Sequence, residues 1–239
     1  TARNMRTAVK LLKQKSSRPS RLSRRGHETG LLAQPHYWRR AGSFATDWLP
    51  MPALRRKPPV SLPIDRPIAL VGMMGAGKTT VGRRLASALN LRFHDADSEI
   101  EQAAGMSVAD LFQRHGEESF RRGEAQVIER LLSGPPVVLA TGGGALLNAA
   151  TRALVKERAI SVWIRAELDV LVKRATKRAT RPLLKEGDPK EIIARLLQAR
   201  TPYYAASDIA VDSDVGSHAR TVRSIIDALS AFLAEERAS

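Results

Sequence analysis

The stretch GMMGAGKT, Gly72 to Thr79, constrains this chain more than any other. It fits the spacing G-x-x-x-x-G-K-[ST] without an exception. It stands between the apolar run PIALVG, which reads as a buried strand, and a segment from Lys78 to about Asn90 that reads as a helix. Glycines let the backbone of such a loop bend until several N–H groups converge on phosphate oxygens at a helix N-terminus. The lysine, Lys78, then reaches the β- and γ-phosphates, and the Thr79 hydroxyl ligates magnesium. The residues of this stretch and its flank, Gly75, Ala76, Gly77, Lys78, Thr79 and Thr80, are the expected nucleotide contacts. A nucleoside triphosphate site follows, but the loop does not say whether water or another molecule receives the phosphoryl group.

Downstream, strand and helix patterns alternate. LRFHDAD (91–97) reads as a second strand, SEIEQAAG (98–105) as a helical turn, and SVAD (107–110) has the capping-box spacing that opens another helix. ESFRRGEAQVIERLL (118–132) is helical, with Phe120, Val127, Ile128 and Leu131 on one face, and SGPP stops it. VVLA (137–140), AISVWI (159–164) and ASDIAVD (206–212) supply three more strands, and TVRSIIDALSAFL (221–233) is an amphipathic helix. Strands alternating with helices predict an α/β domain on a parallel sheet of five strands.

Charge divides the chain in two. The 239 residues carry a formal charge of +15, but residues 1–65 hold 14 Lys and Arg against Glu28, Asp47 and Asp65, a net of +11. The remainder is close to neutral at +4, so a nucleic-acid-binding reading would rest on the leading segment alone, and no nucleic-acid partner is expected. Seven prolines interrupt residues 1–64, and the basic runs SRPSRLSRR and LRRKPP flank Tyr37, Trp38, Phe44 and Trp48. That composition predicts a mostly disordered basic extension over 1–64 and a domain over 65–239. A transit peptide is the alternative, because residues 1–27 contain no acid; docking of the aromatic patch is another. Cysteine is absent, which excludes disulfides, thiolate nucleophiles and cysteine zinc sites. No apolar run approaches the roughly 20 residues of a membrane span.

Five segments are candidates for the acceptor side and the lid over it. In an extended strand residues i and i+2 face one way, so Asp95 and Asp97 are expected to share a crevice at the carboxyl end of the second strand. One acid would orient magnesium through its waters and the other a hydroxyl proton; two solvated turn acids are the plain alternative. FRRGE offers Arg121 and, one helical turn on, Glu124 to hold the guanidinium. Gly142, Gly143 and Gly144 follow the third strand and suggest close backbone approach to a ligand, or simply a tight connection. TKRATRPLLKEGD suits a mobile lid at about 175–190 that brings Arg181 over the phosphates. Arg200 ends a later helix and by default is a surface arginine.

Taken together, GMMGAGKTTVG, DAD, FRRGE, TGGGA, RPLL and ARTPYY resemble shikimate kinases in order and approximate spacing, over residues 67 to about 212. The resemblance implies a three-layer α/β/α P-loop fold of the nucleoside-monophosphate-kinase type. It implies transfer of the ATP γ-phosphoryl group to the 3-hydroxyl of shikimate, with Mg2+, in chorismate and aromatic amino acid biosynthesis. By position, Asp97 would hold the ring hydroxyls and act as base, and Asp95 would lie in the magnesium shell. Arg121 and Arg200 would grip the carboxylate, with Gly143 and Gly144 under the ring. Arg181 would contact phosphate, and Arg174 would lie against adenine. GKTT stands where GKST is common, which keeps the hydroxyl. A cytoplasmic monomer without membrane association is expected, or a plastid precursor if the extension is a transit peptide. A gluconate-type sugar-acid kinase and a regulatory P-loop NTPase are the rival readings.

Overall fold

The computed structural model describes residues 60–176, 187–213 and 217–238. Arg181, most of the expected lid and the leading segment through residue 59 lie outside the described residues. Five parallel strands form one sheet: β1 (Ile68–Val71), β2 (Arg92–Asp95), β3 (Val137–Ala140), β4 (Ile160–Arg165) and β5 (Ile209–Asp212), in the order β2-β3-β1-β4-β5. β1 and β3, read from their unbroken apolar runs, are buried at every residue, as strands covered on both faces must be. β5, at an edge, alternates buried and exposed.

Seven helices accompany the described strands: α1 (Lys78–Leu89), α2 (Ala96–Ala104), α3 (Val108–Leu132), α4 (Ala149–Arg158), α5 (Leu168–Thr176), α6 (Pro189–Ala205) and α7 (His218–Ala238). Parallel crossovers are right-handed. The step from β1 to β2 runs one way along the sheet, and the steps from β2 to β3, β4 and β5 run back. Helices of the first step and of the later ones therefore cover opposite faces, which makes three layers. Packing agrees: α1 lies against α7, α3 against α4, and α5 against α6.

This reversal also locates the site. β1 and β3 are neighbours whose chains leave in opposite directions, the crevice where open parallel sheets take ligands. Leu70 pairs with Ala140, and both the N–H and the hydroxyl of Thr141 donate to the Leu70 carbonyl, at 3.1 and 3.0 Å. The phosphate loop after β1 and the glycines after β3 therefore emerge side by side. A second, small core of Ile100, Leu111 and Phe120 ties α2 to α3 beside the sheet, with the Phe112 and Phe120 rings 4.5 Å apart. Burying each of these large side chains contributes about 1.5–3 kcal/mol. α3 is kinked at Gly116, which has left-handed φ of 74°, so the capped turn at Ser107 and the FRRGE segment point differently.

Three local expectations change. The second strand stops at Asp95, and Asp97 sits in the first turn of α2. The cause is capping: the Asp95 carboxylate accepts from the Ser98 N–H at 3.5 Å, and aspartate is among the strongest N-caps. Arg200 does not end its helix, because α6 continues through Pro202 to Ala205, and Arg200 is only 5% exposed. Val60 to Ile64, expected in the extension, touch the domain: the Val60 N–H donates to the Ala88 carbonyl at 2.9 Å, and Leu62 and Ile64 pack on the core.

Candidate active site

On the phosphate side, Gly75 has φ +86°, and a Cβ there would lie 2.8 Å from the Leu171 carbonyl oxygen of α5. Only glycine satisfies both the left-handed backbone and this close approach. α1 begins with no side-chain cap, and the N–H groups of its first turn stand at the positive end of the helix dipole, where an anion is favoured. The Lys78 ammonium lies over the loop and donates to the Gly72 and Met73 carbonyls at 2.6 and 3.0 Å. Ala76 is buried beneath it.

The Thr79 hydroxyl donates to Asp95 Oδ2 at 2.7 Å, which joins the phosphate loop to the end of β2. Among the described residues no cluster of three or more His, Asp or Glu could hold a metal unaided. A hydroxyl and one carboxylate do fit magnesium that arrives on a nucleotide, since that ion keeps its waters and the phosphates as most of its ligands.

Asp97 opens to solvent within a cleft, and the protein walls around it push its carboxyl above the usual aspartate range. The Asp95 charge adds to the rise, while Lys78 and Arg121 oppose it. Asp95 at the strand end and Asp97 at the helix start are close enough for their charges to interact, but they do not share one strand.

Across the crevice, Arg121 is clamped within α3, donating to Glu124 Oε2 at 2.8 Å and to Glu117 Oε1 at 3.0 Å. It also lies 5.3 Å from the Phe120 ring centroid, a cation–π distance. Glu124 is 2% exposed, and burial raises its carboxyl above the ordinary glutamate range despite the Arg121 charge. Its Oε1 is buried and has no hydrogen-bond partner among the described residues.

The glycines explain themselves here. A Cβ on Gly142 would overlap Glu124 Oε1 and lie 3.2 Å from Asp97 Oδ1; one on Gly144 would overlap the Arg121 guanidinium. Gly143 faces the other way, its Cβ position 3.3 Å from the Met74 N and 3.5 Å from Arg200 Nη1. The three residues therefore make room first for the site's own side chains. Arg200 Nη1 donates to the Gly143 carbonyl at 3.1 Å, and the Tyr204 hydroxyl, one turn along α6, donates to the same oxygen at 2.5 Å.

At the other end of the phosphate loop, Arg174 in the last turn of α5 donates to Ser213 Oγ at 3.0 Å. Beside it His218 lies 3.7 Å from the Cβ position of Gly77, and burial, then the Arg174 and Arg84 charges, depress its pKa. His218 carried no motif, and ARTPYY, which ends at Tyr204, gave that tyrosine no role. A cavity of about 630 Å3 borders Met73, Trp163, Leu171 and Ser213, but Asp97, Arg121 and Arg200 do not line it. Charge and hydrogen bonding, not volume, mark the acceptor side.

Known proteins resemble this chain in sequence and fold. The family model described as Shikimate kinase matches residues 74–230. The shikimate kinase of Paramagnetospirillum magneticum is 52% identical over 183 residues, 77% of this chain and 94% of that one. The structure of shikimate kinase from Acinetobacter baumannii in complex with shikimate matches with a TM-score of 0.66 and 37% identity, covering 68% of this chain and 91% of that one. A gluconokinase from Sinorhizobium meliloti matches with a TM-score of 0.50 and 23% identity over 72% of this chain and 95% of that one, a likeness of fold alone. With the family model matched over residues 74–230 and a relative 52% identical over 77% of its length, the chain belongs to the shikimate kinase family.

Proposed function

We propose that this enzyme transfers the γ-phosphoryl group of ATP to the 3-hydroxyl of shikimate, giving 3-phosphoshikimate and ADP. One observation carries the reading: Gly142–Gly144 touch Asp97, Glu124, Arg121 and Arg200 in one crevice beside the phosphate loop. A triphosphate and a carboxylate-bearing acceptor repel each other, so a site for both needs fixed cations on each side.

Lys78 and the first-turn N–H groups of α1 bind the phosphates. The Arg121 and Arg200 guanidiniums grip the acceptor carboxylate, each held in orientation by Glu124 and by the Gly143 carbonyl. Gly143 and Gly144 support the ring, and Asp97 takes the hydroxyl proton as that oxygen bonds to the γ-phosphorus and the bond to the β–γ bridging oxygen breaks. Magnesium arriving on the nucleotide would be held through Thr79 and Asp95 and would supply charge neutralisation at the phosphates. On this reading Arg174 would lie against the base, and Arg181, outside the described residues, would contact the phosphates. Positioning and electrostatics then carry the catalysis. The same reading assigns catalysis to the domain over 65–239, working as a cytoplasmic monomer. Among the described residues no helix is long and apolar enough to cross a membrane.

The test is ADP release with shikimate, quinate, gluconate or no acceptor. Stimulation by shikimate is expected; a gluconate preference would make the enzyme a sugar-acid kinase, and hydrolysis without acceptor would make it a regulatory NTPase.

A further inference from the structure

The Gly143 carbonyl has two donors from one face of one helix. Arg200 and Tyr204 are four residues apart on α6, and both donate to this oxygen. Tyr204 is 2% exposed, so its hydroxyl has no access to water as an alternative partner. Burial pushes its pKa up to about 12, which keeps it a donor throughout the working range of an enzyme. The hydroxyl also lies 3.8 Å from Met73 Sδ in the phosphate loop, and the ring leans on Trp163 with centroids 6.1 Å apart. Tyr204 therefore stands where α6, the phosphate loop and the acceptor glycines meet.

Geometry gives this contact a consequence. No peptide bond among the described residues is cis. A trans peptide points its C=O and N–H in opposite directions. Fixing the Gly143 carbonyl toward α6 turns the Gly144 N–H away from α6. Gly144 itself lies against the Arg121 guanidinium. The peptide plane between Gly143 and Gly144 is thus set between the two arginines by donors on α6. With glycine at both ends, no side chain resists rotation of that plane, so its orientation depends on what holds the carbonyl.

We propose that Tyr204 is a positioning residue: by holding the Gly143 carbonyl it orients the Gly143–Gly144 peptide and fixes the Arg200 guanidinium for the acceptor carboxylate. This rests on the reading of Arg200, Gly143 and Gly144 as the acceptor site. Tyr204 itself touches no substrate, so its loss acts through the loop.

The experiment is Tyr204→Phe in the full chain, with steady-state kinetics in both substrates and a thermal melt. Phenylalanine keeps the ring against Trp163 and removes one hydrogen bond, whose net worth is about 0.5–1.5 kcal/mol. KM for shikimate is expected to rise roughly threefold to tenfold, with a smaller change in kcat and in KM for ATP. An unchanged KM for shikimate overturns the proposal. So does a uniform loss in both substrates accompanied by a lower melting temperature, which would make Tyr204 an ordinary core residue. Should Tyr204→Phe fail to fold, a polyfluorinated tyrosine at 204 keeps ring and donor but ionises at lower pH. Its KM for shikimate, relative to the parent, then rises with pH; a ratio independent of pH overturns the proposal. If the parent itself releases ADP without regard to shikimate, the acceptor-site reading fails first, and that is visible before any variant is compared.

Discussion

At residue 124 a carboxylate is buried with one oxygen paired to Arg121 and the other without a partner among the described residues. Burial raises its pKa, and the Arg121 charge works in the opposite direction. Removing the arginine therefore does more than subtract a ligand for the acceptor carboxylate. Arg121→Ala is expected to raise KM for shikimate far more than KM for ATP. It is also expected to destabilise the fold by about 3 kcal/mol at neutral pH, the low end for a broken buried pair, since Arg121 retains some exposure. The sign of the pH dependence follows from the raised pKa. Below the glutamate's unfolded value, 4.5, both states are protonated and there is no penalty; above the folded value the buried charge costs in full. The deficit against the parent should thus shrink as pH falls from 7.5 toward 5. Urea unfolding of both proteins at several pH values measures it, and a deficit that does not change with pH would mean Glu124 stays neutral or solvated. From sequence, the helical spacing in FRRGE gave this pair. It could not give the oxygen that has no partner among the described residues, which lies against Gly142 of the loop after β3.

Among the elements, the strands and the phosphate loop were legible because each is encoded locally. β1 and β3 are short apolar runs, and the loop has its own spacing. Asp97 was placed in a strand because alternation continues through LRFHDAD; a side-chain cap at Asp95 overrides it, and capping competes with strand pairing only once β2 has found β3. Arg200 looked like a surface residue at a helix end because Pro202 suggests a stop. The helix continues with Pro202 exposed at its surface, and packing on Gly143 buries the arginine. The roles of His218 and of Tyr204, the last residue of ARTPYY, were not legible since they depend on contacts between α7 or α6 and distant loops. The loop after β3 illustrates such dependence in a testable way. A methyl group at Gly142 would collide with Glu124 Oε1 and crowd Asp97. Gly142→Ala should force α3 and α2 apart at that point, at about 1–3 kcal/mol for an overpacked contact. Because Glu124 then no longer holds Arg121, KM for shikimate should rise at least tenfold while nucleotide affinity, measured by calorimetry, stays within about twofold. Equal loss of both would show that the strain spreads through Gly143 to Met74 and the phosphate loop.

For the whole molecule, the sheet order concentrates function at one point. Reversal of winding between β1 and β3 brings two loops separated by about 60 residues into contact, one for phosphates and one for the acceptor. The net charge is concentrated elsewhere, with +11 in residues 1–65 against +4 in the rest. Packing, however, starts before the composition changes. Val60 bonds to the end of α1, and Leu62 and Ile64 lie against the core, so a cut placed where the prolines and basic residues end would remove contacts of the domain. Two truncations separate these effects. Deleting residues 1–59 should leave kcat/KM for both substrates within about twofold and the melting temperature nearly unchanged. Deleting 1–64 exposes apolar surface on α1 and should cost about 1–3 kcal/mol, a fall of several degrees in melting temperature for a domain of this size, with kcat/KM at 25 °C preserved. Thermal melts beside steady-state assays decide between them. Equal melting temperatures would mean that Leu62 and Ile64 contribute no net stability, and a loss of activity in the shorter deletion would assign residues 1–59 a part in the domain's function.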